Sequence, residues 1–579
     1  MTRPLTPANK TLGRSNWTWQ DGLLILVILS LIVAIIRTAS QFSGTFQPEL
    51  RISTNINALP GYTAQTLIRM GLAYFLSLIF TLLYASTAYR SRIAERILIP
   101  MLDILQSIPV LSFLPGVVLA LISLFPGQRI GVELAAILLI FTGMTWNMTF
   151  SFYQSLQGIP RELLEASRVY RLNSWQRFWT LELPSGVIGL VWNSVMSVAG
   201  GWFFLIAIES FTLGNKDFRL PGLGSFLGTA ANNGDFKAIF WGLAVLIGII
   251  VATDFFVWRP LIAWAEKFKL EMVETENAPQ SWVLDTIRRS PTLRAISDRV
   301  FQPLQTAIDD GLIRSFPVRS VPVNAKGSLN LPSFLNWIFV SGFTLIVLWG
   351  TWEAVLLLRT LGWTDWLQVI KGAALTALRV IIALILSLLW TVPVGVTIGR
   401  NRRLAQVLQP LVQIVASVPA TALFPVLLLA LTRIAGGLQI GAIALMMLGT
   451  MWYILFNVIA GAQSIPSDLI EAASVYKLSP LQRWQTLILP AIFPYLITGI
   501  ITAVGGAWNA SIVSEYVTFQ GRVISTPGLG TTISHATATG NFPLLLASTV
   551  VMSLLVVLTN RLIWRPLYNL AQEKYQLLV

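Results

Sequence analysis

The sequence predicts an all-α membrane protein of twelve transmembrane helices, arranged as two parallel six-helix repeats. Three observations carry this. The 579 residues are 55% hydrophobic and only 11% charged, with a mean hydropathy of +0.69. A soluble domain of that composition would expose large apolar patches, so the bilayer is the expected solvent. The apolar residues fall into runs that can cross about 30 Å of hydrocarbon, which takes about 20 residues each. The second half of the chain also repeats the first at a fixed offset. Glu165-Ala166-Ser167 returns as Glu471-Ala472-Ala473, Glu209 as Glu515, Pro221-Gly222-Leu223-Gly224 as Pro527-Gly528-Leu529-Gly530, and Trp258-Arg259-Pro260 as Trp564-Arg565-Pro566.

In chain order the first six runs lie near 22–41, 63–89, 98–125, 131–155, 185–212 and 237–262. The second six lie near 334–357, 374–399, 407–432, 437–460, 491–516 and 543–566. Backbone groups in lipid have to be satisfied internally, so each run is read as a helix. Basic flanks give the orientation. Arg3, Lys10 and Arg14 place the start of the chain inside, and the run from Gly22 to Ile36 lacks a small-residue cleavage site, so it reads as a retained first helix. Arg90, Arg92 and Arg96, then Arg161, Arg168, Arg171 and Arg177, mark later inside loops; Arg400, Arg402 and Arg403, then Lys477 and Arg483, repeat the pattern. Six spans return the chain to the side it left, so both copies face the same way and both termini are expected in the cytoplasm. Residues 1–265 and 333–579 are thus two membrane domains. The charged segment 266–332 between them is a cytoplasmic linker with two short amphipathic stretches, one around Leu284-Asp285-Thr286-Ile287 and one from Val300 to Ile313.

Composition also excludes several kinds of chemistry. Lys and Arg outnumber Asp and Glu by 40 to 26, yet the basic residues sit in short gaps between apolar runs, with no basic stripe interleaved with aromatics, so nucleic acid is not an expected partner. Without cysteine, and with His535 as its single histidine, the chain offers no thiolate nucleophile and no His- or Cys-based metal site. No Gly-x-x-x-x-Gly-Lys-Ser/Thr phosphate cradle is present. The chain is not expected to be an enzyme or to carry a cofactor.

The most informative element is the repeated inside loop. Gly158-Ile159-Pro160 and Ser464-Ile465-Pro466 each open a helix, with proline where the amide lacks a partner in any case. Acids lead (Glu162, Glu165; Asp468, Glu471) and bases follow (Arg168, Arg171; Lys477), which complements the helix dipole. The small residues Ala166-Ser167 and Ala472-Ala473 let another surface approach closely. Each loop then runs to a hydrophobic-x-Leu-Pro segment, Leu181-Glu182-Leu183-Pro184 and Leu487-Ile488-Leu489-Pro490.

Glu-Ala-Ala, a break, then hydrophobic-x-Leu-Pro resembles the signature loop of permease subunits in ATP-binding cassette importers. Together with Trp175-Gln176-Arg177-Phe178 and the Pro-Gly-Leu-Gly elements, the pattern is similar to the permeases for nitrate, taurine, alkanesulfonates and bicarbonate, once per half. The resemblance implies a translocation path for a small solute, an anion by preference, in a bacterial inner membrane. It also implies two ATPase subunits on other chains, which hold the ATP and magnesium, and an external solute-binding protein. Glu165, Ala166, Ser167, Arg171, Glu471, Ala472, Ala473 and Lys477 become the expected ATPase-coupling residues. One departure accompanies it: the family's glycine after the helix is Arg171 here and Lys477 in the second copy. Either the helix exits differently, or a cation meets the ATPase directly.

Ionisable residues recur inside the expected spans, where charge is costly and needs a partner or a water path. Arg69 and Arg379 stand in Thr-x-x-Arg contexts with Thr66 and Thr376, and Glu209 and Glu515 lie in later spans. They are candidates for the translocation path, or for Arg–Glu pairs that lock helices together. Pro109 and Pro419, with Pro115 and Pro425, would kink their spans and either shape a cavity or serve packing alone. Gly200-Gly201 and Gly505-Gly506 suit close helix crossing. An ion-coupled secondary transporter with six-plus-six helices is the alternative reading, but it has no use for the twin loops. An intramembrane enzyme would need a nucleophile or metal cluster that the sequence does not offer.

Overall fold

Among the described residues the apolar runs close their backbone hydrogen bonds within themselves, and the structure there is almost wholly helical. The computed structural model describes residues 51–268, 281–290 and 354–574, apart from short stretches at 108, 126–127, 214–215, 432–436 and 520–521, together with a few isolated positions between 299 and 352. The expected span near 22–41, and most of that near 334–357 and of the amphipathic stretch from 300 to 313, lie outside these residues.

The first half runs α1 (Leu59–Arg90), α2 (Arg92–Ser107), α3 (Val110–Leu124), α4 (Ile130–Gln157), α5 (Arg161–Val169), α6 (Ser174–Arg177), α7 (Leu183–Glu209), α8 (Leu223–Asn233), α9 (Phe236–Thr253) and α10 (Arg259–Ala265). In the linker, α11 (Trp282–Arg289) forms where the amphipathic stretch predicts it, capped by the Ser281 side chain and packed against α10. The second half repeats the order as α12 (Trp363–Arg400), α13 (Arg402–Ser417), α14 (Ala420–Leu431), α15 (Gly437–Gln463), α16 (Ser467–Val475), α17 (Pro480–Arg483), α18 (Leu489–Ser514), α19 (Leu529–Thr539), α20 (Phe542–Thr559) and α21 (Arg565–Lys574). Two-stranded antiparallel hairpins follow α7 and α18: β1 (Thr212–Leu213) with β2 (Lys216–Asp217), and β3 (Tyr516–Phe519) with β4 (Arg522–Ser525).

Among the described residues, 8 helical stretches are long and apolar enough to cross a membrane, four in each half. The expected spans near 98–125 and 407–432 are not among them, because each is built of two shorter helices. The breaks fall at Pro109 and Pro419. Proline disfavours helical backbone in the residue before it, and Val418 is accordingly extended (φ −72°, ψ 116°). The carbonyls of Pro109 and Pro419 then start the next helices by accepting from Ser112 N (3.0 Å) and Ala422 N (3.0 Å). These two prolines therefore end helices where a kink was expected, and Pro115 and Pro425 are accommodated within α3 and α14.

Elsewhere proline is absorbed without a break. Single π-helical turns at Phe178–Glu182, Asp254–Trp258, Trp484–Ile488 and Asn560–Trp564 each end two residues before Pro184, Pro260, Pro490 or Pro566. A proline nitrogen cannot donate and its ring crowds the carbonyl four residues back; the wider turn relieves both. Helical rods such as Ser174–Glu209 thereby stay continuous.

In each half the fourth helix is central: α4 packs between α1 and α7, and α15 between α12 and α18. Gly506 allows close approach there, since a Cβ would lie 2.7 Å from the Gly449 carbonyl. The halves exchange contacts through the broken helices: α2 meets α20, α3 meets α18, and α13 and α14 meet α7 and α9. Thr549 Oγ1 donates to the Ser112 carbonyl (3.2 Å), and Gln413 Nε2 donates to Asp254 Oδ1 (3.1 Å). Polarity is inverted relative to a soluble protein: Phe75, Leu83, Leu389 and Leu562 are exposed while Arg69, Glu209 and Glu515 are fully buried, as lipid contact requires.

The absence of native cysteine makes the cross-half packing testable. Ser112→Cys with Thr549→Cys, bridged by a short bifunctional thiol reagent, should keep the two fragments joined on a denaturing gel after cleavage at a protease site engineered into the linker. Separate fragments at full labelling would contradict the arrangement.

Candidate functional site

Three groups of residues stand out: the twin loops, two buried charge clusters and a cavity between the halves.

In the first loop α5 ends in a Schellman motif. Leu172 N donates to the Ser167 carbonyl (3.0 Å) and Arg171 N to that of Arg168 (2.9 Å); in the second, Leu478 N donates to Ala473 O (3.1 Å) and Lys477 N to Ser474 O (3.0 Å). Arg171 (φ 51°) and Lys477 (φ 50°) occupy the left-handed position, the two non-glycine residues with positive φ among those described. The helix exit is therefore the one glycine would give, and the expectation of a different exit does not hold. Holding a Cβ residue there costs roughly 1–2 kcal/mol. Glu165, Glu471, Arg171 and Lys477 are exposed, Ala166 and Ala472 half-buried, and Ser167 and Ala473 buried. Beside each strained cation a Val-Tyr pair projects outward, Val169-Tyr170 and Val475-Tyr476, each side chain 78–79% exposed. The following turns, α6 and α17, are held by reciprocal capping boxes, Asn173 with Gln176 and Ser479 with Gln482.

One difference between the loops is a buried charge. Glu182, 1% exposed, pairs with Arg90 at the end of α1 (2.7 Å) and with Arg177 (3.0 Å). It ties the first loop to the transmembrane core. Ile488 stands at the matching position of the second loop. Sequence reasoning passed over Glu182; the available signal was a carboxylate at the x position of an otherwise apolar motif.

The intramembrane charges are brought together as clusters. Arg69 forms a bidentate pair with Glu133 (Nε–Oε2 2.6 Å, Nη2–Oε1 2.8 Å), and its Nη1 donates to Glu209 Oε1 (2.7 Å) and to the Pro221 carbonyl (2.8 Å). Thr66 Oγ1 donates to Glu209 (2.9 Å) and accepts from Leu223 N (2.9 Å), while Gly224 N donates to Glu209 Oε2 (2.7 Å). In the second half Arg379 Nη1 donates to Glu515 (2.7 Å), Thr376 Oγ1 donates to the same carboxylate (2.8 Å), and Leu529 N and Gly530 N complete the set (2.8 Å each). The Pro-Gly-Leu-Gly element is thus explained. The amide of its second glycine caps the glutamate, its leucine amide donates to the threonine hydroxyl, and a Cβ on Gly222 or Gly528 would strike the carboxylate. Glu133 was missed as a member, although it is the single acid of its span. Half-buried Arg129 lies close by; burial lowers its pKa from the usual guanidinium value, Glu133 opposing and Arg69 adding to the shift.

Between the halves lies a cavity of about 180 Å³, lined from both copies by residues that include Gln106, Asn147, Ser197, Thr502, Asn509 and Trp564. Arg69, Arg379, Glu209 and Glu515 do not line it, whereas Gln106 and Val110, flanking the break at Pro109, do. Gly200 and Gly505 face this space: a Cβ on Gly505 would meet nothing within 4 Å. Among the described residues no cluster of His, Asp and Glu could hold a metal.

A duplicated bundle of lipid-exposed helices around a central cavity, with matched loops at one end, defines a multi-pass membrane permease. Comparison with known proteins places it further. The model of the binding-protein-dependent transport system inner membrane component family matches twice, at residues 73–259 and 391–563. The chain belongs to this family of ATP-binding cassette transporter permeases and carries two copies of its membrane unit. It is 30% identical over 185 residues to a nitrate import permease protein of Leptolyngbya laminosa, covering 32% of this chain and 63% of that protein. A bicarbonate transport system permease protein of Synechococcus elongatus is 33% identical over 126 residues, 22% of this chain and 44% of its own length. A putative aliphatic sulfonates transport permease protein of Bacillus subtilis is 24% identical over 270 residues, 44% and 92% of the two chains. The chain thus spans between 44% and 63% of the first two of these relatives.

The charge clusters make unequal demands. Arg69→Ala strands two buried carboxylates and should destabilise by about 3–5 kcal/mol, since removing one partner of a buried pair leaves uncompensated charge. Arg379→Ala strands one and should destabilise less. The aggregation temperature of each variant in detergent reads the difference, and a smaller drop for Arg69→Ala than for Arg379→Ala would contradict the assignment.

Proposed function

We propose that this chain supplies both membrane halves of an ATP-driven importer for a small anion, of the nitrate, bicarbonate, sulfonate or taurine kind. The observation that carries the reading is the twin loop: two exposed, Schellman-capped helices that present Glu165 and Glu471 at matched places. In this reading residues 1–265 and 333–579 are two parallel six-helix domains, the loops and the 266–332 linker lie in the cytoplasm, and each loop docks into one separate ATPase subunit. Ala166, Ser167, Ala472 and Ala473 allow the close approach, and Arg171 and Lys477 meet the ATPase as cations. ATP-driven closure of the ATPase pair moves the loops together and swings the halves between inward- and outward-open states. A solute-binding protein delivers the anion from outside.

Within the membrane, Pro109 and Pro419 shape the path by ending helices beside it. Arg69, Glu209, Arg379 and Glu515 serve it from a distance by fixing the short helices α8 and α19 to the long spans. Homology to permeases named for anions supports the substrate class, and the exposed charge at the loop tips supports docking.

Glu165→Lys with Glu471→Lys should abolish uptake and weaken co-purification of the ATPase while leaving the permease in the membrane; undiminished co-purification would refute docking through these loops. Arg171→Gly with Lys477→Gly separates charge from geometry. The left-handed exit is retained at lower strain, so ATPase recruitment should fall by about tenfold if the cations form charge-assisted contacts of about 1.5 kcal/mol. Recruitment at or above the parent level would assign the cations no part in docking.

A further inference from the structure

We propose that the second copy holds the headgroup of an anionic phospholipid at the end of α12, where the first copy holds a glutamate of its own. The inference rests on α12 being a membrane span and goes beyond the importer reading. In the first copy Arg90 and Arg177 converge on buried Glu182 (2.7 and 3.0 Å). Their counterparts Arg400 and Arg483 are kept at the ends of α12 and α17, but Ile488, 2% exposed, stands where the glutamate would be. A second acid has gone as well. Glu95 of α2 accepts from Tyr153 Oη (2.6 Å) and Gln157 Nε2 (3.3 Å), and Ala405 takes its place in α13.

The charge balance of the two copies differs accordingly. From 90 to 107 the chain carries three arginines and two acids; from 400 to 417 it carries three arginines and no acid. Among the described residues no carboxylate pairs with Arg400, Arg403 or Arg483. Arg400 and Arg403 are exposed and Arg483 is half-buried. Arginines that share a counter-ion in one copy thus stand without one in the other. That leaves a local positive field for an anion from outside the chain to meet.

Position and surface select a lipid. The exposed apolar side chains of α12 continue as far as Val394. Arg400 lies about 9 Å further along the helix at 1.5 Å per residue, which is headgroup depth beside the hydrocarbon core. From there α13 runs back along α12, with Ala405, Leu408 and Val412 packed in one cluster with Ile398 and Trp390. A second face of α13 carries Leu404, Val407, Leu411 and Val415 at helical spacing, between 36% and 69% exposed. Its polar contacts lie on a third face, where Gln413 donates to Asp254 and Gln409 accepts from Gln463. The apolar stripe therefore begins beside Arg403, one turn before Val407, and leads away from the arginines. A phospholipid meets both demands, with a phosphate for the guanidinium forks and an acyl chain for the stripe. A carboxylate from a soluble partner would meet only the first.

The test titrates the purified full-length chain in detergent with dioctanoyl phosphatidylglycerol, dioctanoyl phosphatidylcholine or glycerol 3-phosphate at equal ionic strength. The melting temperature is the readout, because a ligand of the folded state raises it. Phosphatidylglycerol should raise it well above the level reached with phosphatidylcholine, and glycerol 3-phosphate should leave it unchanged. Arg400→Gln with Arg403→Gln should need about tenfold more phosphatidylglycerol for the same shift, since each cation near a membrane surface adds to the attraction. Arg92→Gln, at an exposed arginine of the first copy, should leave the response intact. Ile488→Glu restores the internal counter-ion and should blunt the response; if that variant does not fold, the double arginine variant decides alone. An equal response to phosphatidylcholine or to glycerol 3-phosphate overturns the proposal, as does an undiminished response in the double arginine variant. Weaker ATPase co-purification in that variant at unchanged lipid response would assign the arginines to the protein partner instead.

Discussion

A guanidinium buried among apolar spans must bring its counter-charge with it, and this requirement organises one end of each half. Arg69 and Arg379 rise from α1 and α12, Glu209 and Glu515 stand at the ends of α7 and α18, and Glu133 enters from α4 in one copy only. Pairing alone would leave lone pairs on the carboxylates unsatisfied. The Pro-Gly-Leu-Gly turn fills that need with backbone amides, and its glycines leave room for the carboxylate they cap. A buried ion pair adds little net stability against an apolar alternative. What it supplies is register: the short helix α8 or α19 can dock on the long spans in one place only, because any slip would break several buried charged hydrogen bonds at once.

At the opposite end the same problem, how to stop or bend a helix, is solved by backbone geometry. The four π-turns keep long rods continuous past proline, while Pro109 and Pro419 stop helices outright. The difference follows from what lies upstream. Before Pro184, Pro260, Pro490 and Pro566 the chain is already helical and widens by one residue; before Pro419 the residue is extended. Breaking α2–α3 and α13–α14 frees these segments to lie against the other half, which is where they are found.

Much of this was legible in the sequence. The offset repeat announced two copies, the loop motif announced its own helix, and the paired Thr-x-x-Arg and glutamate positions announced the clusters. The breaks were not legible, because hydropathy is continuous through Pro109 and Pro419 and composition does not distinguish a kinked span from two helices. Glu133 and Glu182 escaped for another reason: neither has an acidic counterpart in the second copy, where Gln439 and Ile488 stand, so a search by symmetry passed over them. The cavity lining escaped because its residues come from both copies at unmatched positions and form no motif. The left-handed Arg171 and Lys477 ran against local preference. The missing glycine suggested a new exit, yet the Schellman hydrogen bonds hold the old one.

Fusion of the two copies has a consequence for how the central cavity can change. In a permease made of two identical chains every substitution appears twice, so the walls are bound to mirror one another and a residue that suits one side is imposed on the other. Here a mutation alters one wall alone. Thr502 lines the cavity and so does its counterpart Met196, and Asn509 lines it where its counterpart Phe203 does not. Joining the halves thus released the lining from symmetry, so the two walls can diverge one side chain at a time.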